Sequence, residues 1–79
     1  MNISGYGLRE KDLPNLVPYD LAEIALRATS TELREIAAFL LAAATEMEAM
    51  GSKFSHLHLA DKNRIFEGSP HFVVFNDET

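Results

Sequence analysis

Cysteine is missing from all 79 residues. Its absence removes a disulfide framework, a thiolate zinc site and a cysteine nucleophile together, and it suits a cytoplasmic protein. A basic cluster is missing too. Arg9, Lys11, Arg27, Arg34, Lys53, Lys62 and Arg64 are scattered along a chain of net charge −5. A phosphate-backbone binder needs a concentrated positive surface, so no nucleic-acid partner is expected. The apolar run at residues 36–44 is too short to cross a bilayer and is flanked by charges, so no membrane partner is expected either. The N-terminus lacks the basic stretch followed by an apolar one that marks a secretory signal. No internal repeat, low-complexity segment, phosphate loop or H-E-x-x-H motif occurs.

What is present fits one small globular domain. Apolar residues make up 47% and charged residues 24%, which is ordinary for a folded chain and not for a disordered one. A single domain is expected over residues 1–79: an irregular N-terminal arm with a possible short strand (1–20), an α+β core (21–76) and a tail (77–79). A chain this short buries only about 60% of its unfolded surface, so modest stability is expected.

The clearest element is a helix over residues 29–51. Thr29 and Glu32 form a T-x-x-E capping box at its start. Gly51 suits the left-handed residue past its end. Leu33, Ile36, Ala37, Leu40, Ala44 and Met47 follow i, i+3, i+4 spacing and are the expected core stripe. Leu41 widens the stripe on one side; Ala43, Met50 and Phe39 widen it on the other. Phe39 and Met50, off its centre, are candidates for contact with a partner.

Around this helix the chain reads as short strands. Residues 1–7 allow a weak strand, and residues 8–19, with Pro14 and Pro18, read as a loop whose Leu13, Leu16 and Val17 fold back on the core. Residues 21–28 alternate and predict a strand. Residues 54–60 alternate again, with Ser55, Leu57 and Leu59 on one face and Phe54, His56 and His58 on the other. Residues 71–76, rich in β-branched and aromatic side chains, predict a last strand. The expected fold is α+β: a small, mostly antiparallel sheet of three or four strands with one long helix packed on one face, in the order β-β-α-β-β. One helix covers one sheet face only. The other face, with His56 and His58, is then left for a homodimer or another partner, there or at a sheet edge.

The histidines are the most suggestive polar residues. His56 and His58 share a strand face, and His71 could pair across, so His56, His58 and His71 are the candidate ligands of a divalent metal. The competing reading makes His56 and His58 half-buried strand residues that hydrogen-bond or contact a partner. Catalysis finds no support. Ser55 beside His56 is sequence proximity with the two expected on opposite faces, and Glu46 and Glu48 point apart on the helix.

The run TSTELREIAAFLLAAATEME, then FSHLHLAD, then a short apolar strand, resembles the immunity protein 32 family of bacterial polymorphic toxin systems over residues 22–75. The capped S/T-x-x-E-L helix, Ala37 with Phe39-Leu40, the Glu46-Met47 pair and His56-x-His58 with Asp61 carry the resemblance by order and spacing. Ser55, where glycine is expected, and Leu57, where a more polar residue is expected, depart from it. The resemblance implies a small cytoplasmic protein that neutralises a toxin domain by stoichiometric binding, with no enzymatic activity and no cofactor. The candidate partner-binding residues are His56, His58, Asp61, Ile65, Phe39 and Met50, and the apolar pair Ile65-Phe66 divides into a contact anchor and a core residue. A histidine-based metal module and a homodimeric structural domain of phage or mobile-element origin are the alternative readings.

Overall fold

The computed structural model describes residues 1–8, 14 and 17–77. Leu13 and Leu16, expected to fold back on the core, lie outside the described residues, as do residues 78–79 of the tail. The fold is α+β, and among the described residues its four strands form two separate two-stranded sheets rather than one.

The first sheet is a clip of two residues per strand. β1 (Ser4–Gly5) pairs antiparallel with β2 (Tyr19–Asp20), and the Leu21 amide extends the pairing by donating to the Ile3 carbonyl at 2.7 Å. Val17 stays exposed beside it. Residues 21–28 contain no strand and are exposed throughout. Their alternation is compatible with an extended backbone, but alternation alone does not secure pairing with another strand. Their side chains, mostly alanine, leucine and charged residues, give weak β preference in compensation.

α1 (Ser30–Met50) begins as its sequence dictates. Thr29 Oγ1 accepts from the Glu32 amide at 3.1 Å, and the Glu32 carboxylate accepts from the Thr29 amide at 2.8 Å, completing the capping box. It ends at Gly51, whose φ of 58° is disfavoured for any residue with a Cβ. A 3₁₀ turn, Gly51–Lys53, then reverses the chain.

The second sheet follows. β3 (His56–His58) pairs antiparallel with β4 (Val73–Phe75), placing His56 opposite Phe75, Leu57 opposite Val74 and His58 opposite Val73. Backbone bonds from Leu59 to Phe72 and from Asn76 to Ser55 extend the hairpin at both ends. β3 is shorter than its alternation implies, because Leu59 opens a helical turn, α2 (Leu59–Lys62), followed by a second 3₁₀ turn, Arg64–Phe66. The Asn63 side chain joins the two by accepting from the Ile65 amide.

The core lies between α1 and the hairpin. Ile36, Phe39, Leu59 and Phe66 are buried together, with Leu57, Phe72 and Val74 packed against them. Phe39 is 6% exposed and meets Phe72 edge to face, ring centroids 6.3 Å apart. The buried side of α1 is therefore Ile36, Phe39 and Ala43, rotated by roughly 80° from the centre of the expected stripe at about 100° per residue. Leu33, Leu40 and Leu41, expected in the core, are exposed. Asn76, buried at 5% exposure, closes the far end: its amide donates to the carbonyls of Gly51 and Phe54 at 3.1 and 3.2 Å. One side chain thus fastens the end of β4 to the turn that leaves α1.

Two outcomes follow. Phe39→Ala should cost about 3–5 kcal/mol of unfolding free energy, whereas Leu41→Ala should stay within about 0.5 kcal/mol, as read by urea denaturation. Glu32 has its pKa lowered by its hydrogen bonds with the Thr29 backbone and hydroxyl. A lowered folded-state pKa stabilises above the unfolded value and loses that contribution as pH falls through the folded one. Thermal unfolding followed from neutral pH down through the carboxylate range should show this loss at the acid end, and Glu32→Gln should remove that component of the pH dependence.

Candidate functional site

α1 covers only the side of the hairpin that carries Leu57, Phe72 and Val74. Strand alternation therefore turns His56, His58, Val73 and Phe75 to the other side. There the rings form a row. Phe75 stacks on His56 with centroids 5.3 Å apart and planes 28° from parallel. His56 meets His58 edge to face at 5.3 Å, and His58 meets His71 edge to face at 6.1 Å. His56, His71 and Phe75 are exposed and His58 is half-buried. Phe75, at 67% exposure, is a large apolar ring left in water.

The order of the row comes from register. The pairing of His56 with Phe75 is a cross-strand contact, the unit by which antiparallel strands stabilise one another. Sequence alternation places the histidines on one face but does not say which residue of the last strand lies opposite, so Phe75 was not among the candidate site residues. Phe54, assigned by alternation to the histidine face, is buried. It precedes β3, directly after the 3₁₀ turn, where strand periodicity no longer governs direction.

Ser55 and His56 depart from expectation in the same way. Ser55 Oγ and His56 Nδ1 lie 3.1 Å apart in hydrogen-bond contact, although neighbouring strand residues would point to opposite faces. Ser55 lies just outside the strand. Among the described residues no carboxylate is bonded to this imidazole, so the pair lacks the orienting third group of a nucleophilic triad.

His56, His58 and His71, the candidate metal ligands, do come together, as a packed row of rings. Among the described residues no three histidine, aspartate or glutamate side chains are placed to hold a metal ion.

The remaining candidates divide. Asp61 and Ile65 are exposed on the α2 and 3₁₀ segment, and Met50 is exposed at the end of α1. Phe66 is buried, as its pairing with Ile65 implied. Phe39 lies in the core and meets the inner side of the hairpin, where its ring contacts Phe72. Sequence reading also missed a groove between α1 and α2, lined by Glu35, Phe39, Glu46, Leu57, Lys62 and Asn63. Its polar groups satisfy one another: Asn63 Nδ2 donates to Glu35 at 2.8 Å, and Lys62 pairs with Glu46 at 3.4 Å. The ion pair is half-exposed and adds little stability; the contacts fix how α2 sits against α1.

The model of one family, described as immunity protein 32, matches residues 23–77, from the segment that leads into α1 through the end of the hairpin. The chain belongs to the immunity protein 32 family. The match takes in α1, the core and the histidine row, and leaves the β1–β2 clip outside. No curated protein and no solved structure matches the chain. Membership in an immunity protein family implies toxin neutralisation and a toxin as protein partner. Among the described residues no helix is long and apolar enough to cross a membrane.

Proposed function

We propose that this chain neutralises a bacterial toxin domain by stoichiometric binding and meets it through the outer face of the β3–β4 hairpin. The observation that carries the reading is the row of Phe75, His56, half-buried His58 and His71 on a hairpin whose other side packs against the core beneath α1. Aromatic rings held in place by neighbours supply contact area at low entropic cost and are enriched among residues that dominate binding energy. Imidazoles add donors and acceptors for polar groups on the partner. Asp61, Ile65 and Met50 are assigned to the rim of the contact. Phe39 acts from beneath, by supporting Phe72.

The net charge of −5 favours a basic partner, because charge complementarity raises the rate of encounter and fixes orientation. The action is inhibition by occupancy, without chemistry on the toxin, and the chain works in the cytoplasm, where a producing cell needs protection.

The test uses the cognate toxin domain. Co-expression should protect cells, and purified toxin should be silenced as the molar ratio reaches equality, with activity recovered when the complex is dissociated. His56→Ala and Phe75→Ala should each weaken the complex about tenfold or more, while Arg64→Ala should leave it unchanged. Inhibition well below a one-to-one ratio, or toxin that stays inactive after release, would contradict occupancy. Unaltered affinity in both ring variants would move the contact elsewhere.

A further inference from the structure

α1 carries two apolar faces, and the hairpin uses one. Beside the buried side lie Leu33, Ala37, Leu40, Leu41 and Ala44, all exposed, with Leu41 at 73%. The steps from 33 to 37 to 40 to 44 alternate four and three residues, the spacing of a seam between two packed helices. None of these residues is buried by the rest of the described chain.

We propose that a second copy of the chain covers it, the two α1 helices packing antiparallel about a two-fold axis at Leu40–Leu41. The stripe is self-complementary when inverted. Ala37 and Ala44 lie equally far on either side of the leucine pair, so Ala37 of one copy meets Ala44 of the other and the backbones approach closely. Arg34 and Glu48 lie on the same flank of the stripe at its opposite ends, almost equally far from its centre. In the antiparallel pair Arg34 of each copy faces Glu48 of the other. In a parallel pair the two copies of each charge would lie on opposite flanks of the seam and this Arg34–Glu48 pairing would be lost, so the charges favour the antiparallel orientation. Neither residue has an ion pair within its own chain among the described residues. An isologous contact of this kind closes on itself and leaves the histidine face open, because that face lies on the far side of the hairpin from α1. The proposal stands apart from the toxin reading.

The seam runs only roughly 22 Å at about 1.5 Å per residue, so the dimer should form and dissociate with concentration rather than persist at all dilutions. Sedimentation equilibrium of the full chain should show a monomer–dimer equilibrium across the micromolar range. Leu41→Glu should abolish it with the circular-dichroism melt unchanged, since Leu41 supports nothing in the core. Arg34→Glu should weaken the dimer about tenfold by turning two attractive pairs repulsive, and the swapped variant Arg34→Glu/Glu48→Arg should restore it. A wild-type monomer at every concentration would assign the stripe to another occupant, such as this chain's own N-terminal segment, and overturn the proposal. A dimer indifferent to Leu41→Glu, or a charge swap that fails to restore what Arg34→Glu loses, would overturn it as well.

Discussion

Phe39 meets Phe72 edge to face across the gap between α1 and the β3–β4 hairpin, and that contact sets which side of the hairpin is turned inward. Once Phe72 faces α1, strand alternation sends Val74 and Leu57 the same way and leaves Val73, Phe75, His56 and His58 pointing out. The core is small, so few residues hold this arrangement. Ile36, Phe39, Leu59 and Phe66 supply its centre, and Asn76 fastens the end of β4 to the turn after α1 through two carbonyls. Leaving those carbonyls unpaired in a buried site would cost more than one hydrogen bond returns, which is why a polar side chain serves here.

The outward face is thus a by-product of packing, and it is the surface proposed for recognition. The Phe75 ring is costly to leave in water, and the three histidines in ring contact beside it are not placed to hold a metal together but are suited to meet a protein. Family membership supplies the kind of protein to be met. The apolar flank of α1 is a separate surface, so the proposed pairing of two copies and the proposed capture of a toxin do not compete for the same residues.

Much of this was legible in the chain itself. The capping box at Thr29 and Glu32, the helix stop at Gly51, the histidine strand and the closing strand are local features, and local chemistry specifies them. The inward side of α1 was not legible. Its sequence holds two adjoining apolar stripes, and the richer one in leucine is the one left exposed. Periodicity says that a helix has apolar sides; which one is buried depends on Phe72, far along the chain. The same limit applies to residues 21–28, whose alternation is not matched by pairing with another strand, and to Phe54, which follows a 3₁₀ turn and is buried. Phe75 entered the site through cross-strand register, which exists only after folding.

The central claim, that the outer face of the hairpin is what the toxin touches, is tested most directly by amide-resolved NMR of the isotope-labelled chain titrated with its toxin domain. The account predicts perturbations concentrated at residues 56–58 and 71–75 and in the adjoining α2 segment, with the exposed stripe of α1 around Leu40 and Leu41 unaffected. Perturbations confined to that stripe, with the histidine row silent, would contradict it.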